Sequence, residues 1–122
     1  MQALIAANQA PPPPLTGTFL IDTGASGTCI DDTFISQLGL QPTGVVPIKT
    51  PSTGGGLHHC NQFDVSMFIP GGVVGQGYLI EAIPIISTHL QSQGIDGLIG
   101  RDVLDNCTLI YNGTAHHFTL AY

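Results

Sequence analysis

Two short segments carry residue types able to do hydrolytic chemistry: Asp22-Thr23-Gly24-Ala25-Ser26, directly after the apolar run Phe19-Leu20-Ile21, and Leu98-Ile99-Gly100-Arg101-Asp102 far downstream. A carboxylate at the end of an apolar strand is a candidate proton acceptor for a water nucleophile, and Gly24 and Gly27 permit a loop backbone that the strand could not continue. The same triplet can be an Asx turn closing a strand. What separates the two readings is the second apolar-apolar-glycine corner at Leu98-Ile99-Gly100, which leads into a short helix.

Other chemistry-bearing residues make weaker sets. His58-His59-Cys60 and His116-His117 are ligand types for zinc. Neighbours on a strand point to opposite faces, so each histidine pair offers one inward ligand, and paired ligand spacings are absent. They are read as exposed or hairpin histidines, with no metal expected. Cys29 lies near Asp22 without a histidine at a recognisable spacing and reads as a packed thiol.

Short strands must position these residues. Sixteen glycines and nine prolines punctuate short runs rich in Val, Ile, Leu, Phe and Thr, the pattern of an all-β chain with tight turns. Strands are expected at residues 2–7 and 16–21, joined across the stiff proline run 11–14. A helical turn closes at Gly39. Strands 45–50 and 62–69 flank Pro51-Ser52-Thr53-Gly54-Gly55-Gly56 as a hairpin with a glycine-rich tip. The apolar stretch 73–86 should bend or break near Pro84, because proline interrupts central pairing. A short helix follows at 101–106, and strands 108–111 and 116–122 flank Asn112-Gly113, a tight-turn dipeptide.

Composition narrows the function classes. With 122 residues the chain reads as one domain, 1–122, around one core. Hydrophobic residues make up 43% against 8% charged, which excludes a disordered composition. Lys49 and Arg101 are the only lysine and arginine against eight acidic residues, so neither a nucleic acid nor an anionic membrane is an expected partner. No apolar run approaches the roughly 20 residues of a spanning helix. The first residues lack the basic start and apolar core of a secretory signal, and three cysteines without CxxC spacing suit reduced thiols, so a cytoplasmic location is a weak expectation.

The order and spacing of these segments resembles the retropepsin-like aspartic proteases, the single-lobe group that includes the retroviral proteases. The resemblance implies an all-β closed barrel with one short C-terminal helix. Carried over by position, Asp22 matches the catalytic aspartate, Thr23 the threonine that braces paired active-site loops, and Gly24 the glycine beside the substrate backbone. Ala25 and Ser26 match the loop wall. Thr53, Gly54, Gly55, Gly56 and Leu57 fall where the family has its flap. Leu98, Ile99, Gly100, Arg101 and Asp102 match the strand, glycine and helix start beneath the active-site loop. Leu20, Cys29, Ile30, Ile83 and Ile85 are candidate pocket walls and equally candidate core residues. Retroviral members carry an aspartate near the positions of Ser26 and Gly27 to pair with the arginine. For Arg101 the partner is therefore open among Asp31, Asp32 and a backbone carbonyl.

The resemblance implies peptide hydrolysis, and the chemistry of that reaction requires two carboxylates, one ionised to take a proton from water and one protonated to hydrogen-bond the scissile carbonyl. Asp22 supplies one, and no second Asp-Thr-Gly or Asp-Ser-Gly exists. A C2 homodimer with Asp22 of each copy on the axis supplies the other. Such a pair shares one proton, favouring activity at acid pH. The expectation is an aspartic endopeptidase acting on extended, largely apolar polypeptide, with a glycine flap closing over it and no cofactor. The alternative is a dimeric peptide-binding module on the same fold with little turnover.

Overall fold

The computed structural model describes residues 1–7, 14–48, 58–72 and 76–122. Among the described residues, nine strands and two short helices follow one another as β1 (Gln2–Ala7), β2 (Leu15–Ile21), β3 (Cys29–Asp31), α1 (Asp32–Ser36), β4 (Gly44–Ile48), β5 (His58–Pro70), β6 (Gly77–Thr88), β7 (Gly97–Ile99), α2 (Arg101–Leu104), β8 (Thr108–Asn112) and β9 (His117–Ala121). A 3₁₀ turn at Gln91–Gln93 precedes β7. Seven strands form one sheet in the order β1-β2-β7-β3-β6-β5-β4, and β1 also pairs with β5. That second pairing closes six strands into a barrel and leaves β4 as an outer strand on β5. This is the all-β closed barrel that the resemblance implies. β8 and β9 form a separate two-stranded sheet.

Alternation along the strands builds the core. In β5 the inward positions are Phe63, Val65, Met67 and Ile69, each two residues from the next, as the two-residue repeat of a strand requires. They meet Ala3 and Ile5 of β1, Phe19 of β2, Ile83 and Ile85 of β6 and Ile99 of β7. Phe34 of α1 caps the barrel with its ring edge-on to Phe19, at 6.4 Å between centroids. No helix among the described residues is long and apolar enough to cross a membrane.

α1 begins earlier than the helical turn expected from Gly39, because Asp31 caps it. The Asp31 carboxylate accepts the Thr33 and Phe34 N–H groups at 2.9 and 3.2 Å, satisfying donors that a helix start leaves unpaired. Its other oxygen takes the Leu90 and Gln91 N–H groups at 2.8 and 2.9 Å, tying the chain after β6 to α1. The turn after α1 still ends at Gly39, whose φ of 63° suits glycine. Burial pushes the Asp31 carboxyl up, but its four backbone donors outweigh it and hold the group below its ordinary value. A depressed folded-state pKa stabilises the fold above the unfolded carboxylate range, and that stabilisation is lost as pH falls through the folded value. Asp31→Ala should cost about 3 kcal/mol at neutral pH, since the cap is lost and buried N–H groups are orphaned, and less at strongly acid pH. Denaturant melts of the two proteins at each pH check this.

β6 does not break at Pro84. The irregularity in its pairing with β5 lies where the register passes from Val65↔Ile83 to Met67↔Ile80. Pro84 sits opposite Asp64, and β3 joins the other edge of β6 only from Ile86 onward, so a missing N–H there interrupts no ladder on that side. The C-terminal hairpin also forms with a different turn from that expected. Asn112 pairs with His117 across a four-residue connection, the Asn112 side chain accepts the Ala115 N–H at 3.0 Å, and the left-handed residue is His116, φ 57°.

Candidate active site

Asp22 follows the last residue of β2, which lies between antiparallel β1 and parallel β7. Its N–H donates to the Ile99 carbonyl at 3.0 Å, extending the β2–β7 ladder by one step and fixing where the carboxylate leaves the sheet. The Gly24 N–H donates to Asp22 Oδ1 at 2.9 Å and the Ala25 N–H to the Asp22 carbonyl at 3.2 Å. The Asx turn forms, with one oxygen of the Asp22 carboxylate closing it. A Cβ on Gly24 would stand 3.2 Å from Asp22 Oδ1, so glycine leaves room for the carboxylate. Asp22 is half-buried, and Thr23, Gly24 and Ser26 are exposed.

The loop rests on the start of α2. That helix has no side-chain cap. Its first N–H groups are instead taken by the loop: Arg101 N–H donates to the Ala25 carbonyl at 2.8 Å and Asp102 N–H to the Ser26 carbonyl at 3.2 Å. The Arg101 guanidinium donates to the Thr23 carbonyl at 2.9 Å, so the open partner of Arg101 is a backbone carbonyl. Asp31 and Asp32 are engaged elsewhere, at the α1 cap and with the Ser87 hydroxyl. Asp102 turns back under the loop. Its carboxylate accepts the Thr28 N–H at 3.0 Å, the Thr28 hydroxyl at 2.7 Å and the Val103 N–H at 2.9 Å, while Thr28 Oγ1 accepts the Gly100 N–H at 3.2 Å. Gly100 is required by proximity, because a Cβ there would lie 2.4 Å from the Gly27 carbonyl oxygen.

The structure therefore brings together Asp22, Thr23, Gly24, Ala25 and Ser26 with Ile99, Gly100, Arg101 and Asp102, while Leu98 pairs with Leu20 on one side and Cys29 on the other. Leu20 is 49% exposed and lines a cleft beside Thr23. The strand alternation turns Ile30, Ile83 and Ile85 into the barrel, where all three belong to the core. Thr53, Gly54, Gly55, Gly56 and Leu57 lie outside the described residues; the β4 and β5 arms on either side pair from Gly44↔Gln62 to Ile48↔His58. Thr28, wholly buried, was missed by sequence reasoning, and nothing in its spacing distinguishes it from the other threonines. A larger cleft of about 500 Å³ lies away from Asp22, between α1 and the start of β5, and includes His58 and His59. Among the described residues no three of His, Cys, Asp and Glu are grouped to hold a metal.

Cys29 is half-buried, and burial first, then the charges of Asp102, Cys60 and Asp22, push its thiol up to about 11. A thiol held protonated is a poor nucleophile. Cys29 should stay largely unmodified by iodoacetamide at about pH 8 in the folded protein and react at least about tenfold faster once the chain is unfolded in urea, as peptide mass mapping would read.

No curated protein matches the chain in sequence. An aspartyl protease family model matches residues 14–103, a span that begins just before β2, takes in the Asp22 loop and the β4–β5 arms, and ends inside α2 at the clamp beneath that loop. With most of its length matched and the closed barrel in place, the chain belongs to the aspartyl protease family, of the retropepsin-like kind.

Proposed function

We propose that the protein is an aspartic endopeptidase that works as a C2 homodimer, with Asp22 of each protomer forming the water-activating pair. The observation that carries this reading is the commitment of the neighbouring carboxylates. Asp102 is bonded beneath the loop, Asp96 to the Thr18 N–H at 2.9 Å, Asp31 at the α1 cap, and Asp32 with Ser87. Asp64 and Glu81 lie along β5 and β6, and Asp105 follows α2. A protomer thus offers Asp22 alone for the chemistry, and a second copy supplies the other carboxylate.

In the reaction, the ionised member takes a proton from water as the water oxygen bonds to the scissile carbonyl carbon. The protonated member donates to the carbonyl oxygen. The tetrahedral diol then collapses, the C–N bond breaks, and the amine leaves with a proton returned from the pair. Like charges this close share one proton, which favours acid to mildly acid pH. Thr23, exposed beside Asp22, is available to brace the partner's loop. The substrate is an extended peptide, and exposed Leu20 favours apolar side chains in it.

Cleavage of an unfolded protein mixture, followed from about pH 3 to 7, tests the reading with Asp22→Asn purified in parallel and shown folded by circular dichroism. The variant should lose about 1,000-fold or more of the activity. Cleavage that survives in folded Asp22→Asn would refute Asp22 as catalytic, and no cleavage by a dimeric parent would favour the peptide-binding module.

A further inference from the structure

We propose that Asn112 is a self-modification site, where the side-chain amide leaves as ammonia and an aspartyl or isoaspartyl linkage to Gly113 remains. The site is independent of the Asp22 pair. The reaction needs a free backbone nitrogen one residue on, an open approach to the amide carbon, and water. Asn112-Gly113 suits it by residue type, since glycine has no Cβ to crowd its own nitrogen. Such a pair commonly fills the two central positions of a tight hairpin turn at positive φ. Here it stands elsewhere. Asn112 is the last residue of β8, paired with His117 across a four-residue connection whose positive φ falls on His116. Gly113 thus lies outside the ladder, and its N–H makes no hydrogen bond among the described residues.

The Asn112 amide is also polarised for attack. Its Oδ1 accepts the Ala115 N–H at 3.0 Å, which puts a donor where negative charge develops when Cγ is attacked. Residues 112–117 are all exposed, so water reaches the turn. Hydroxide takes the Gly113 N–H proton as that nitrogen bonds to Asn112 Cγ. The Cγ–Nδ2 bond breaks, and Nδ2 takes up a proton and leaves as ammonia. Water then opens the cyclic imide, at Cγ to give aspartate or at the main-chain carbonyl carbon to give isoaspartate. The other described asparagines lack the free nitrogen. Asn61 precedes Gln62, which is paired with Gly44 on one side and Ile86 on the other, and Asn106 precedes Cys107, whose N–H donates to the Leu104 carbonyl at 2.9 Å. Either product adds a carboxylate to a chain of net charge −6, and isoaspartate also lengthens the main chain at the last rung of the hairpin.

Incubation of the full chain at mildly alkaline pH and physiological temperature tests this, with folding followed by circular dichroism and peptide masses mapped at intervals. In the folded parent, the peptide holding Asn112 should gain the mass of an amide-to-acid change and split into two chromatographic isomers. Peptides holding Asn61 and Asn106 should stay unchanged over the same period. Gly113→Ala should slow the conversion at least about tenfold, because its Cβ crowds the attacking nitrogen. The variant should fold, since Gly113 is not left-handed and the nearest atom to a Cβ there is the edge of the exposed Tyr111 ring, at 3.3 Å. A folded parent that keeps Asn112 intact while the urea-unfolded chain converts would show that the turn shields the amide and overturn the site. Conversion at the same rate at Asn61 and Asn106 would overturn the selection by the free nitrogen. Folded Gly113→Ala that converts as fast as the parent would overturn Gly113 as the attacking residue.

Discussion

Adding an approximately tenfold excess of folded Asp22→Asn protein to the parent, with time for subunits to exchange, should leave about a tenth of the parent's activity per parent subunit. In the homodimer proposed above, nearly every parent chain at that ratio sits in a mixed dimer with one carboxylate and one amide. An amide can neither take the water proton nor share one, so the mixed dimer fails at the first chemical step. The effect is large because the protomer holds no substitute: Asp31, Asp32, Asp96 and Asp102 are each occupied by hydrogen bonds away from Asp22. Poisoning by a folded variant separates the shared site from a site complete in one chain. Activity that merely tracks the amount of parent, with exchange verified by mass-tagged subunits, would mean that each protomer works alone.

Asp102→Ala should be the most damaging change outside Asp22. It removes the acceptor of the Thr28 N–H and hydroxyl, and Thr28 is wholly buried, so both groups lose their charged partner. The Gly100 N–H, which donates to Thr28 Oγ1, loses its aligned acceptor when that hydroxyl turns. We expect a loss of about 3 kcal/mol, read as a fall in Tm of about 10 °C. Activity should fall further than the folded fraction, by about 100-fold at a temperature where the variant remains folded, because a loop displaced by an ångström misplaces Asp22. Asp102→Asn keeps an oxygen for one donor and presents an N–H₂ to the other, so it should lie between the two. A variant with lowered Tm but unchanged kcat would restrict Asp102 to stability.

The site was legible to the extent that its signals are local. Asp22-Thr23-Gly24 after Phe19-Leu20-Ile21 states a strand end and a loop within a few neighbouring residues, and Leu98-Ile99-Gly100 before Arg101 states a second corner in the same way. The hairpin at Asn112-Gly113 was readable for the same reason, although the left-handed conformation fell on His116 once four residues closed the turn. What failed to show were relationships between segments. Ile30, Ile83 and Ile85 have the composition of pocket walls and of core alike, and only the barrel's closure through β1 and β5 assigns them to the interior. Asp31 reads as one more acid beside Asp32, yet it joins α1 to the chain after β6 through four backbone donors.

By itself, then, the sequence determined the all-β character and the two corners, and it singled out Asp22 as the candidate carboxylate. Each follows from residue types within a few positions. Only the tertiary structure decided that Arg101 holds the Thr23 carbonyl, that Asp102 and Thr28 clamp the loop from beneath, and that β8–β9 forms its own sheet with Leu120 on the barrel core and Tyr111 and Phe118 exposed. These depend on which distant strands lie side by side, and the parallel pairing of β2 with β7 is a contact between segments with no turn to announce it.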